Sequence, residues 1–234
     1  HLGKLAKAVV DGGYDLGLAF DGDADRCLAV DEKGKEIDGD QIMAVCAEYL
    51  TAQGKLRSEG FVATVMSNLG LHKFCEENHL KLLCAAVGDR NVLELMQKES
   101  MVLGGEQSGH IIFLEHMTTG DGQLAALQFL SILGQSGKKA SELAGQITHY
   151  PQLLQNVKVG SNEEKTAILN SAELAAIVAR EEEKLAGHGR ILLRASGTEP
   201  LIRVMAEADT QDLAELVVKT LVQAVENIQK ILNK

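Results

Sequence analysis

Asp21, Asp23 and Asp25 stand on alternate positions of "AFDGDADRCL". Three carboxylates this close repel one another, so the cluster needs something to offset its charge. A hard divalent cation suits such an oxygen-rich loop. Two plainer readings compete. An EF-hand counted from Asp21 would take its ligands from Asp21, Asp23, Asp25 and Glu32, but it requires glycine where Arg26 stands and helices where the flanks read as strands. A solvated acidic turn needs no ion. However, the run emerges from the apolar stretch "YDLGLAF", and the carboxyl end of a parallel strand is where α/β sheets place ligands.

Two further stretches could carry chemistry. In "GGEQSGH", Gly104, Gly105 and Gly109 permit a tight backbone, while Glu106, Ser108 and His110 offer an acceptor, a hydroxyl and an imidazole. Closely spaced polar groups on a glycine loop suit vicinal sugar hydroxyls; a decorated hairpin is the alternative. In "RASGTEPLIR", Arg194 gives a bidentate fork, Ser196 and Thr198 give hydroxyls, and Gly197 lets backbone N–H groups point at one oxygen-rich ligand. Arg203 on the following strand could add charge. That combination reads as a phosphate cradle, against the alternative of a capped turn with an exposed arginine. Arg90 in "VGDRNV" stands near a helix start and could contact an anion, although a surface salt bridge explains it nearly as well.

The elements that must position these groups alternate. "YDLGLAF" reads as a buried strand and "CLAVD" as a second one. "GDQIMAVCAEYLTAQ" has helical periodicity and "FVATVMS" is a β-branched run. "LHKFCEENH", "LKLLCAAV" and "DRNVLELMQKE" read as helix, strand and helix, and "DGQLAALQFLSILGQ" as an apolar helix. This predicts a parallel-rich three-layer α/β domain. Pro151 interrupts the pattern, which sets a boundary at about Tyr150 to Gln155. Beyond it, helices, a two-strand core and a long final helix predict a smaller α+β domain.

The 234 residues carry a formal net charge of −10 and are 45% hydrophobic and 24% charged, a soluble globular composition with room for one large or two modest domains. The acidity argues against nucleic acid and against an anionic membrane surface. No transmembrane or secretory run is evident. Cys27, Cys46, Cys75 and Cys84 lack paired spacing and read as buried free thiols of a reducing cytosol rather than a zinc site. The chain opens without Met, which suggests a piece of something longer.

Taken together, the three constellations resemble the α-D-phosphohexomutases, in the order metal loop, sugar loop, phosphate loop, over essentially the whole chain. "LGGEQSGHI", "VGDR" and "TTGDG" point within that family to the branch acting on glucosamine phosphate. The resemblance implies four domains around a cleft. Residues 1–35 would be the tail of domain two with the metal loop, 36–150 domain three, and 151–234 domain four. It implies Mg²⁺ on Asp21, Asp23 and Asp25, with Arg26 and His110 as catalytic groups beside it. Glu106 and Ser108 would contact the sugar, while Arg194, Ser196, Gly197 and Thr198 would grip the phosphate that is not reacting.

The implied reaction is the interconversion of glucosamine 6-phosphate and glucosamine 1-phosphate, through a phosphoserine and a bisphosphorylated intermediate, for cell-wall precursor synthesis in the cytoplasm. A homodimer is admitted. The alternatives are a parent acting on mannose or glucose phosphates, and a non-catalytic metal- or sugar-phosphate-binding module. The sequence departs from the family in Ala24, where a second glycine is usual, and in Asn91, where an aromatic is common. No serine here has the "ASHNP"-like context of the family nucleophile, so the chain alone is expected to be inactive.

Overall fold

The computed structural model describes residues 2–197 and 199–233. The chain divides into two compact units, His1–Thr148 and His149–Lys234. Among the described residues no helix is long and apolar enough to cross a membrane.

The first unit opens with the amphipathic helix α1 (Gly3–Gly12) and a small sheet of β1 (Leu16–Phe20), β2 (Cys27–Asp31) and β3 (Glu36–Ile37). Every pairing in it is antiparallel. The aspartate loop therefore joins two arms of a hairpin and does not end a parallel strand, which corrects the expectation that placed it there. β1 is also less buried than its composition suggests: Leu16, Leu18 and Ala19 are half-buried and Phe20 is exposed. It is the edge strand of that sheet, with no second strand beside it among the described residues.

Helix α2 (Gly39–Ala52) follows, opened by a reciprocal cap: Gln41 N–H donates to Asp38 Oδ1 at 3.0 Å, and Asp38 N–H to Gln41 Oε1 at 3.1 Å. Every residue from Gly39 to Ala47 is buried, as expected of a helix packed on several sides. The central sheet contains β4 (Gly60–Thr64), β5 (Lys81–Ala85), β6 (Leu103–Gly105) and β7 (Ile111–Phe113), in the order β5-β4-β6-β7. β4 runs parallel to β5 and β6, and β7 returns antiparallel. The intervening helices are α3 (Leu69–Glu77), α4 (Asp89–Glu99), α5 (Gly122–Ser136) and the short α6 (Ala140–Ala144).

Alternation along the strands sends side chains to opposite faces. Phe61, Ala63, Ile111 and Phe113 pack among the buried residues of α2, α3 and α5. Val62 and Ile112 pack with Val92 and Met96 of α4. Helices on both faces of one sheet make this unit a three-layer α/β structure.

The second unit is β8 (Gln152–Lys158), α7 (Asn162–Leu169), α8 (Ala172–Leu185), β9 (Gly189–Ala195), β10 (Leu201–Ala208) and α9 (Gln211–Leu232). Its sheet has three antiparallel strands in the order β8-β10-β9, not the two expected. The extra strand, β8, lies in the stretch read as a boundary, because Pro151 and the polar "QNVK" masked its pattern. α9 lays Val217, Val218, Leu221, Val225 and Ile228 over the sheet at helical spacing.

Candidate active site

The loop between β1 and β2 gathers Asp21, Asp23 and Asp25 so that one oxygen from each lies within 4.8 Å of the others. The turn is closed by Ala24 N–H donating to Asp21 O at 3.2 Å, with Ala24 in the left-handed region at φ 59°. Arg26 borders the cluster, its Nε 3.7 Å from Asp21 Oδ2 and 3.8 Å from Asp25 Oδ1. Partial desolvation is the largest single influence on the Asp21 carboxyl and pushes its pKa upward. The Arg26 N–H, the contact with Asp25 and the Arg26 charge together outweigh it and hold Asp21 below the ordinary aspartate value. Asp25 Oδ1 is buried and accepts no hydrogen bond. A buried carboxylate oxygen that accepts no hydrogen bond and has only a loose ion pair to Arg26, inside a triad, is the arrangement a hard cation would complete.

His110 explains how Asp25 is held. The ring is buried, with Nδ1 2.9 Å from Asp25 Oδ2. Gly120 N–H donates to Nε2 at 3.1 Å, which leaves the ring proton on Nδ1, donated to the carboxylate. Both nitrogens are therefore engaged, one holding Asp25 and the other accepting from the backbone.

The "GGEQSGH" loop links β6 to β7 and is locked against the aspartate loop. Arg26 and His110 form an antiparallel bridge, and Cys27 N–H donates to Gly109 O at 3.0 Å. Gly109 has φ 92°, and a Cβ there would lie 2.3 Å from Cys27 O; at Gly39, a Cβ would lie 2.1 Å from Glu106 O. Both contacts restrict these positions to glycine. Glu106 accepts from Gly88 N–H at 2.9 Å through Oε1 and from Ser108 Oγ at 3.2 Å through Oε2. The structure thus joins Asp21, Asp23, Asp25, Arg26, Glu106, Ser108 and His110 in one region and ties the "VGDR" turn to Glu106. Arg90 is directed elsewhere: its side chain is exposed and ion-paired to Glu94 at 2.8 Å, the surface alternative.

In the second unit, Arg194 on β9 and Arg203 on β10 face each other in register. Both Nε atoms are buried without a hydrogen-bond partner. Burial, then the neighbouring Arg203 charge, pulls the Arg194 pKa down. Two adjacent guanidiniums repel each other, so an anion beside them would relieve the strain.

Ser196 is buried, and its Oγ accepts from Glu199 N–H at 3.3 Å, which turns the side chain inward, whereas Gly197 is exposed. Thr198 lies outside the described residues. Sequence reasoning missed Lys165 of α7, a buried lysine whose Nζ donates to Ser196 O at 2.7 Å and Glu199 O at 3.3 Å. A lysine on a helix gives no sequence signal that it will reach under a loop some thirty residues away.

Comparisons with known proteins converge on one family. Residues 38–150 match "Phosphoglucomutase/phosphomannomutase, alpha/beta/alpha domain III", and residues 154–224 match "Phosphoglucomutase/phosphomannomutase, C-terminal domain". Over 226 residues the chain is 51% identical to phosphoglucosamine mutase of Ligilactobacillus salivarius and 52% identical to that of Lactococcus lactis subsp. cremoris, covering 97% of this chain and 50% of each relative. The chain spans about half the length of the curated relatives it matches. Among solved structures, N-acetylphosphoglucosamine mutase of Aspergillus fumigatus, in complex with GlcNAc-6P and magnesium, superposes with a TM-score of 0.75 at 22% identity, covering 91% of this chain and 48% of that one. A phosphoglucomutase/phosphomannomutase family protein of Burkholderia thailandensis gives 0.74 at 19% identity, covering 97% and 50%. The chain belongs to the phosphoglucomutase/phosphomannomutase family of the α-D-phosphohexomutases.

Proposed function

We propose that this chain supplies the metal-, hydroxyl- and phosphate-binding groups of a phosphoglucosamine mutase, a cytoplasmic enzyme interconverting glucosamine 6-phosphate and glucosamine 1-phosphate. The observation that carries the reading is the Arg194–Arg203 pair, two adjacent guanidiniums with orphaned buried Nε atoms, on a chain that also holds a carboxylate triad. Identity near one half to proteins of that name supports the substrate.

In this reading Asp21, Asp23 and Asp25 hold Mg²⁺, with Asp25 Oδ1, which accepts no hydrogen bond, as a natural ligand atom. Bound Mg²⁺ would neutralise charge on a transferring phosphoryl group. His110 keeps Asp25 in place, and Arg26 adds positive charge at the rim of the loop. Glu106 and Ser108 take sugar hydroxyls. Arg194, Arg203, the Gly197 N–H and Thr198 hold the phosphate that does not react, while Ser196 braces the loop from inside. Residues 1–35, 36–150 and 151–234 would correspond to the end of domain two, domain three and domain four.

The phosphoryl-carrying serine is not among these residues, because none of the serines has the family's nucleophile context. The test combines binding and turnover. The chain should bind glucosamine 6-phosphate in preference to glucose or mannose 6-phosphate, and should produce no glucosamine 1-phosphate with Mg²⁺ and a bisphosphate activator. Preference for another hexose phosphate would move the substrate. Conversion by the chain alone would place a nucleophile within it.

A further inference from the structure

Lys165 is a buried, bonded residue that the reaction scheme above leaves unused. It lies on the second turn of α7, whose N-terminus Ser161 caps by accepting Glu164 N–H at 3.1 Å through Oγ. The residue is 7% exposed, and its ammonium ends on two backbone carbonyls of the "SGTEP" loop, Ser196 O at 2.7 Å and Glu199 O at 3.3 Å. Among the described residues no carboxylate pairs with it within 4 Å, and none pairs with Arg194 or Arg203. A lysine is seldom buried this far without a carboxylate, and carbonyl dipoles alone leave its full charge in place beneath the loop.

The bonds also have a directional consequence. In a trans peptide the C=O and the following N–H point to opposite sides. Drawing the Ser196 carbonyl inward onto Lys165 turns the Gly197 N–H outward, and Gly197 is exposed, with nothing beyond its chain neighbours within 4 Å of where a Cβ would stand. The Glu199 carbonyl precedes Pro200, which has no N–H to aim. Ser196 Oγ accepts Glu199 N–H, and Leu201 N–H donates to Glu199 O at 2.8 Å.

We propose that Lys165 is the positioning residue of the phosphate loop: it fixes the Gly197 N–H as an outward anion donor and sets a third positive charge behind Arg194 and Arg203. This rests on reading "RASGTEP" as a phosphate site. The ligand class it serves is a phosphate monoester dianion. An ammonium anchored to carbonyls inside the loop sharpens that preference over a carboxylate of lower charge.

The test is an amide-resolved NMR titration of the chain with inorganic phosphate, repeated for Lys165→Met, Lys165→Arg and Arg194→Met. In the wild type, phosphate should shift the Gly197 amide proton downfield. Lys165→Met should weaken phosphate roughly tenfold, the loss of one hydrogen-bonded charge, and abolish the Gly197 shift while the rest of the spectrum is retained. Lys165→Arg, which keeps charge and donors, should restore most of both.

If Lys165→Met does not fold, Lys165→Gln supplies a donor without charge and should keep the Gly197 shift while still binding several-fold more weakly. A Lys165→Met or Lys165→Gln variant with wild-type affinity and Gly197 shift, alongside an Arg194→Met variant that has lost binding, would overturn the role of Lys165 and leave the phosphate site standing. Absence of phosphate binding by the wild type, or its survival in Arg194→Met, would overturn the site and with it this proposal.

Discussion

Replacing His110 with Phe keeps a ring of similar size and removes two hydrogen bonds at once. The first is the Nδ1 bond to Asp25 Oδ2 at 2.9 Å, and the second is the Nε2 acceptor for Gly120 N–H at 3.1 Å. A hydrogen bond to a charged group contributes about 1.5–3 kcal/mol, and a buried N–H left without an acceptor costs about 1–3 kcal/mol. The Asp25 side chain is 32% exposed and can recover water, so the lower part of the first range applies. The sum is a loss of about 2.5–5 kcal/mol in stability, read as a lower urea midpoint.

The informative quantity is metal affinity. Released from His110, the Asp25 carboxylate can rotate away from Asp21 and Asp23. Removing a group that orients a metal ligand typically costs about 10–100-fold in affinity. Mn²⁺ titration followed by electron paramagnetic resonance should therefore show a dissociation constant at least tenfold higher in the folded variant, and the stabilisation that Mg²⁺ gives against urea should shrink in parallel. A His110→Phe chain that folds, is less stable and still binds Mn²⁺ as tightly as the wild type would refute the claim that His110 positions a metal ligand.

Ala24→Gly should raise stability by about 0.5–1 kcal/mol, because a left-handed L-residue costs roughly 1–2 kcal/mol and glycine's greater unfolded-state entropy returns only part of that; a lower thermal midpoint would contradict the strain reading. Burial pushes the Cys27 thiol up to about 11 and those of Cys46 and Cys75 to about 12, while Cys84 is only half-buried. Iodoacetamide at neutral pH should accordingly modify Cys84 alone in the native chain and all four cysteines in urea, as counted by intact mass.

Much of this was legible in the residues, for identifiable reasons. The aspartate triad, the glycine loop and "RASGTEP" are local, so the groups they bring together show in a few consecutive letters. The helices of the first unit declare themselves through apolar spacing. What stayed hidden depends on tertiary contacts. The antiparallel pairing of β1 with β2 follows from a tight acidic turn that an apolar run alone does not announce, and β8 was obscured by Pro151 and its polar letters. The Arg26–His110 bridge spans more than eighty residues, so nothing local reveals that the imidazole is committed to Asp25. Arg90, by contrast, had a partner one helical turn away in Glu94, and the salt bridge it forms was readable as the alternative.

The proposed function divides labour between two sites: the aspartate loop would bind the cation, and the Arg194–Arg203 pair would bind the phosphate of a hexosamine phosphate. Calorimetric titration of the chain with Mg²⁺ and, separately, with glucosamine 6-phosphate tests it directly on three proteins: wild type, Asp23→Asn and Arg194→Met. Asp23→Asn should weaken Mg²⁺ at least tenfold, the order expected for loss of a ligand charge, and leave sugar-phosphate binding in Mg²⁺-free buffer nearly unchanged. Arg194→Met should do the reverse, lowering sugar-phosphate affinity by about 10–100-fold. Sugar-phosphate binding that survives intact in Arg194→Met, or Mg²⁺ binding that survives intact in Asp23→Asn, would contradict the assignment of that site.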